Sequence, residues 1–246
     1  MALNKQNNAY TLIYIIVLVI LVGAGLAMTS MSLADRQKVN ADADKMRQIL
    51  AAVHIVPAKG QMQAEYGRVI TSSEVVNDRG ERIEGAVAFD VDVAQQSRKP
   101  AAERLLPVYV ATTGSGVKYI LPVYGSGLWG PIWGYVAVDA DGSTIYGAFF
   151  GHQGETPGLG AEIEKPAFSD QFDNKQLWKN GHFAPVAVVK KGMKPQGDED
   201  YVDGVSGGTI TSKGVSAMLS DCLAPYAAFL QKVKDNGGHE ATTNIK

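Results

Sequence analysis

Cysteine is almost absent from this chain: Cys222 stands alone among 246 residues. One thiol forms no internal disulfide, and no Cys/His spacing fits zinc or an iron–sulfur cluster. Cys222 reads as a small buried core residue. A chain of this length buries a sizeable core without covalent staples, so the lack of disulfides leaves the compartment open. Positive charge is not in excess either, with 23 Lys and Arg against 25 Asp and Glu. No basic patch stands out, which argues against nucleic acid as a partner. No dinucleotide fingerprint is present. No nucleophile pairs with a histidine, so no hydrolase triad is available, and His152 reads as a loop histidine rather than a general base. Internal repeats and low-complexity linkers are missing. Apolar content of 46% with 20% charge is that of a folded protein.

What is present begins with Tyr10 to Met28, a run without charge. About 20 apolar residues span the hydrocarbon core as a helix. The run is longer than a signal-peptide core and only Lys5 precedes it. It therefore reads as a retained anchor, despite the passable cleavage site Ser32-Leu33-Ala34. A short N-terminal tail favours an N-inside orientation with the main domain exported. Residues 1–33 are the expected tail and transmembrane anchor, 34–60 a juxtamembrane helix and connector, and 61–246 one α+β domain. Val39, Met46, Ile49, Leu50 and Val53 carry the helical spacing of the second segment.

In the third segment Asn77 to Gly80 reads as a turn, after a less regular stretch punctuated by Gly60 and Gly67. Val87, Phe89, Val91 and Val93 alternate with Ala88, Asp90 and Asp92, predicting a half-buried strand. Val108–Ala111 and Tyr119–Tyr124 predict strands whose neighbouring prolines suggest an edge or a strand end. Trp133–Val138 and Thr144–Phe149 flank Asp139-Ala140-Asp141-Gly142 as a hairpin. Val186–Val189 is one more short strand, and short helices are expected over Leu159–Glu164 and near Phe172. A closing helix starts near Thr211 or Ser212. Its apolar face runs from Val215 to Val233, with Pro225 as a kink or break. His239 falls in an expected frayed tail. The predicted architecture is an anchor helix followed by an α+β domain on an antiparallel sheet with a C-terminal helix.

The stretch that organises the rest is Asp203-Gly204-Val205-Ser206-Gly207-Gly208-Thr209-Ile210-Thr211-Ser212. Its glycines permit positive φ and close backbone approach to a ligand. Its hydroxyls fall at a helix N-terminus, where free N–H groups and the dipole favour an anion such as phosphate. On composition alone an ordinary capped turn is the better explanation. Read in order, the residues resemble the motif Asp-x-x-Ser-Gly-Ala-Thr of the FMN-binding domain family, with Gly208 in place of Ala. Two further stretches share the resemblance. Gly125 to Gly134 is glycine-rich with Trp129 and Trp133, either a turn with core aromatics or a platform for a flat ligand. Its Gly127-Leu128-Trp129 matches a segment that family members place near the flavin. Glu155-Thr156-Pro157-Gly158-Leu159-Gly160 reads as a loop with a capped helix start, and matches another family signature.

The resemblance implies that a flavin transferase joins FMN through a phosphoester to Thr209. Thr211 is a second hydroxyl that the sequence leaves open as the acceptor. It further implies that Asp203, Ser206, Gly207, Gly208, Leu128, Trp129, Glu155, Thr156 and Leu159 surround the flavin. Lys191, beside Lys190, is implied to neutralise phosphate or favour an anionic flavin, although such pairs are often simply solvated. The acidic run Asp198–Asp200 reads as a transferase-docking element or a solvated loop. The layout resembles the family's membrane-anchored subunits of Na+-translocating NADH:quinone oxidoreductases and, less closely, of Rnf complexes. That implies an electron relay in a bacterial inner membrane, with the complex's other subunits and lipid as partners. FMN then carries the redox chemistry. The chain alone lacks the means to oxidise NADH, and one helix forms no gated ion pathway. A cofactor-free tethered binding module, using the Trp-bearing loop as a patch, is the competing class.

Overall fold

The computed structural model describes residues 8–58, 60–235 and 237. Lys5 and the tail before the anchor lie outside the described residues, as does His239. The chain divides into two compact units, Met1–Lys45 and Met46–Lys246. Helix α1 covers Asn8–Ala51. In its first part the apolar side chains from Leu12 to Val22 are exposed on every face. A helix apolar all round and of this length is able to cross a membrane,.

The second unit is built on a five-stranded antiparallel sheet, in the order β1-β2-β3-β4-β5. The strands are β1 (Ile70–Val76), β2 (Leu106–Thr113), β3 (Gly116–Ser126), β4 (Pro131–Asp139) and β5 (Ile145–His152). Both faces are covered, so the interior strands are apolar runs rather than alternating ones. Val108, Val110, Leu121, Val123, Val136 and Val138 face one core. Tyr109, Ala111, Ile120, Tyr135 and Ala137 face the other. The first core packs on helices α5 (Thr209–Leu223) and α6 (Ala227–Asp235), joined by a 3₁₀ turn over Ala224–Tyr226 that contains Pro225. The predicted break at Pro225 and the buried face from Val215 to Val233 are both present. The second core takes Ile49, Leu50, Ala52 and Val53 from the end of α1 and the turn that follows it.

Four expectations are corrected. Residues 87–93 form no strand: a 3₁₀ turn spans Ala88–Asp90, and helix α3 (Val93–Gln96) follows. The Asp92 carboxylate accepts the Gln95 N–H at 3.1 Å and so starts that helix. The Ala88 carbonyl is satisfied by the Tyr109 hydroxyl instead of a ladder partner. Gly67 lies inside helix α2 (Met62–Val69) rather than in irregular chain. Met62, Tyr66 and Val69 recur at helical spacing and pack on the second core, which outweighs a glycine cost of about 1 kcal/mol. Strand β1 carries Thr71, Ser72, Ser73 and Glu74 and offers no apolar signal, because its exposed positions alternate along the sheet edge. Finally, Pro107 stands at the start of β2, as expected of a strand end, but Pro122 lies within the interior strand β3. The β2–β3 ladder stops at Tyr109↔Ile120, just before the two prolines would face each other. The missing N–H of Pro122 therefore interrupts no rung to β2.

The hairpin between β4 and β5 is closed by Asp141, whose carboxylate accepts the Ser143 and Thr144 N–H groups, each at 2.8 Å. Lys118 of β3 is buried opposite Asp139 of β4, with Nζ 2.7 Å from the carboxylate. Beyond β5 come a 3₁₀ turn (Gly160–Glu164), helix α4 (Pro166–Ser169) and a 3₁₀ turn over Asp170–Phe172. The pair β6 (Trp178–Lys179) and β7 (His182–Phe183) is next. A parallel pair, β8 (Ala187–Val189) and β9 (Tyr201–Asp203), leads into α5.

Candidate functional site

Three segments far apart in sequence meet at the start of α5: the β3–β4 turn, the loop after β5, and the chain flanking β8 and β9. Close backbone approach makes this possible. A Cβ at Gly214 of α5 would run into the Ser126 carbonyl at the end of β3, and one at Gly125 would fall 2.7 Å from Met218 Cβ. The Gly204 N–H donates to the Val189 carbonyl at 2.6 Å, joining the ends of β8 and β9. The Ser212 hydroxyl accepts the Val205 N–H at 2.9 Å and folds the glycine loop back on the helix.

Thr209 is the first residue of α5, and the row of side chains around it divides sharply by exposure. Ser206, Gly207 and Thr209 are exposed, while Gly208 between them is buried at the helix start. Gly207 has φ +77°, and the Leu159 side chain lies over it. Gly208 occupies the N-cap position with φ −100°, beside Gly160 and Val205. Thr209 lines an open cleft. Thr211 does not: it is 1% exposed, and its hydroxyl donates to Glu155 Oε2 at 2.5 Å. The other oxygen of Glu155 accepts the Trp129 N–H at 2.8 Å. Glu155 is itself 4% exposed, so it supports the site from beneath rather than lining it. Its N–H donates to His152 Nδ1 at 3.2 Å, which leaves Nε2 of that ring 3.6 Å from Glu164. His152 thus holds the loop in place.

The cleft beside Thr209 has a volume of about 340 Å³. Lys190, Lys191, Lys194 and Lys213 line it with Gly204, Ser206 and Gly207. An adjoining cleft contains Asp203 with Lys165 and Lys191. Asp198 and Asp200 of the acidic run are engaged elsewhere. Asp198 bonds to Asn180 and lies 3.2 Å from His182. Asp200 binds Lys179 at 2.7 Å and the Gln176 N–H at 2.7 Å. Burial raises the Asp200 carboxyl, but these bonds outweigh it and leave it below the ordinary carboxylate value.

Around the helix start Leu128, Trp129, Leu159 and Ile210 expose apolar surface, and Trp129 is 68% exposed. The two tryptophans of the glycine-rich stretch part company here. Trp133 donates to Gln48 Oε1 at 3.0 Å and packs on Gly151. Thr156 is exposed, and its main-chain carbonyl, not its side chain, takes the Leu159 and Ala161 N–H groups. The 3₁₀ turn that follows has Leu159 as its N-cap, so the expected threonine cap is replaced by a carbonyl turn. Lys194 and Lys213 carry no motif and escape sequence reasoning. Lys213 follows Thr209 by four residues, the helical neighbour spacing that is the signal able to find it.

The FMN-binding domain matches residues 127–224, which contain every site residue named above from Leu128 to Lys213. Over 255 residues the chain is 34% identical to the NqrC protein of the Na(+)-translocating NADH-quinone reductase of Vibrio anguillarum, covering 96% of this chain and 99% of that protein. This chain belongs to the NqrC family of Na(+)-translocating NADH-quinone reductase subunits. Its solved relatives agree with the fold. The NqrC crystal structure from Parabacteroides distasonis is 49% identical with a TM-score of 0.75, covering 80% of this chain and 96% of that one. The NqrC crystal structure from Shewanella oneidensis is 28% identical with a TM-score of 0.66, covering 80% of this chain and 99% of that one. Against this family, the long apolar helix, the antiparallel sheet and the closing helix are as the sequence predicted.

Proposed function

We propose that this chain is the flavin-carrying electron relay of a Na+-translocating NADH-quinone reductase, with FMN esterified through its phosphate to Thr209. The observation that carries this reading is the contrast between the two threonines. Thr209 lines a lysine-rich cleft at the first turn of α5, whereas Thr211 is buried and hydrogen-bonded. When bound, FMN supplies the electron-transfer chemistry. The residues around Thr209 fit its parts. Lys190, Lys191, Lys194 and Lys213 balance the remaining phosphate charge, together with the positive end of the α5 dipole. Gly207 and Gly208 bring the backbone close, with Ser206, Asp203 and Thr156 at the rim. Leu128, Trp129 and Leu159 offer an apolar seat for the ring while one edge stays open.

An open edge suits transfer to cofactors on neighbouring subunits, and a tether keeps the group from diffusing away. Residues 1–33 serve as the single-pass inner-membrane anchor and 34–60 as its connector. Residues 61–246 hold the flavin domain on the periplasmic side, where a flavin transferase loads it. The test is co-production with a flavin transferase. Denatured chain is expected to fluoresce in a gel and to gain the mass of FMN less water. Thr209→Ala abolishes the label and Thr211→Ala retains it. Label on Thr209→Ala, or none on the wild type with active transferase, sinks the reading.

A further inference from the structure

Glu155 is a buried carboxylate whose two oxygens are spent on two different parts of the site. One takes the main-chain N–H of Trp129 at 2.8 Å and the other takes the hydroxyl of Thr211 at 2.5 Å. Two glycines make room for it. A Cβ at Gly127 would fall 2.6 Å from Oε1, and a Cβ at Gly160 would press on Oε2 and fall 2.5 Å from Thr211 Oγ1. A hydroxyl bonded to a carboxylate is in general an activated nucleophile. Thr211 is held in that contact at 1% exposure, where no phosphoryl donor reaches it.

We infer that Glu155 is the positioning residue that selects the flavin acceptor: it locks Thr211 inward, leaves Thr209 as the open hydroxyl, and pins the Trp129 loop to the same helix turn. This rests on the reading that FMN is esterified at Thr209. Ester formation at either threonine is one displacement. The hydroxyl oxygen bonds to the flavin-side phosphorus of a flavin dinucleotide, whose anhydride P–O bond breaks. The electron pair leaves with the nucleotide phosphate, the hydroxyl proton goes to water, and nothing is oxidised or reduced.

The experiment is a gain of label in full-length protein, treated with transferase and flavin dinucleotide and mapped by peptide mass spectrometry. Thr209→Ala alone stays blank. Thr209→Ala combined with Glu155→Ala is expected to take label on Thr211, at least about a hundredfold more slowly than wild-type Thr209, because the helix sets Thr211 on another face and a misplacement of even 1 Å costs that much. Gly160→Ala in the Thr209→Ala background presses on the same contact without removing the carboxylate, and is expected to do likewise. Glu155→Gln keeps an acceptor for Trp129 and a partner for Thr211. It is expected to keep the label on Thr209 at close to the wild-type rate and retain the flavin circular dichroism that Glu155→Ala loses. Wild type labelled on Thr209 with both double variants folded and blank overturns this inference alone. Loss of fold in both double variants overturns it too, since Glu155 would then hold the fold rather than choose the acceptor. Wild type without label on Thr209 overturns the function instead.

Discussion

Gly207 and Gly208 are adjacent in the motif, yet alanine should act on them differently. At Gly207 φ is +77°, a region that costs an L-residue about 1–2 kcal/mol. A new Cβ there would also fall 2.5 Å from Leu159 Cδ2. Leu159 is exposed and turns aside, at an off-rotamer cost of about 0.5–1.5 kcal/mol. The combined cost is about 1.5–3.5 kcal/mol. At Gly208 φ is −100°, which alanine adopts freely, and its Cβ would meet Gly160 N and Val205 at 3.2 Å. Those contacts need a shift of tenths of an ångström. The loss of unfolded-chain freedom gains about 0.4–1 kcal/mol, against a similar loss from replacing an N-cap glycine by alanine. Gly208→Ala therefore stays within about 1 kcal/mol of the wild type. Thermal unfolding of the detergent-solubilised chain checks this, since 1 kcal/mol moves the midpoint by about 2–4 °C in a unit of this size. Labelling yield should fall in Gly207→Ala and hold in Gly208→Ala, which restores the family's usual alanine. A variant order reversed in stability would refute the backbone argument.

Two further predictions concern the sheet. Asp139→Ala strands the Lys118 ammonium, 1% exposed, with the Ser115 carbonyl and the Tyr146 ring left beside it. The expected loss is about 3–5 kcal/mol, read by denaturant unfolding. Lys118→Met with Asp139→Ala recovers most of it, and equal losses in the single and double variants would contradict the buried-pair account. Asp141 gives an acid-dependent contribution. Burial raises its carboxyl, but the bonds from Thr144 and Ser143 prevail and leave it below the ordinary value. The unfolded chain then takes up the proton first as pH falls through about 3.9. The stabilisation is complete above that value and is lost as pH drops through the lowered folded value. Asp141→Asn should be less stable at neutral pH, and its unfolding curve should converge with the wild type in acid.

What the sequence discloses depends on whether the signal is local. The β4–β5 hairpin, the break at Pro225 and the buried helix face are legible because each rests on neighbouring residues: a turn glycine, a missing N–H, a repeating apolar stripe. Residues 87–93 mislead because period-two alternation survives when Asp92 caps a helix. The cue that decides, Asp92 three before Gln95, is outweighed by the valines. Strand β1 is silent because an edge strand needs few apolar residues. The site divides the same way. The motif locates the helix start, but no motif reveals that two threonines two positions apart have opposite surroundings. That difference comes from the helix period, which turns Thr211 about 200° from Thr209. It also comes from a carboxylate 56 residues away in sequence that closes on the inward hydroxyl. Burial of Glu155 likewise follows from Gly127 and Gly160, glycines that read as turn punctuation until their missing side chains are seen to leave room for it. The motif residues that meet around the cleft are therefore legible in the sequence, Lys194 and Lys213 are not, and the division into open and closed positions is a property of packing between distant segments.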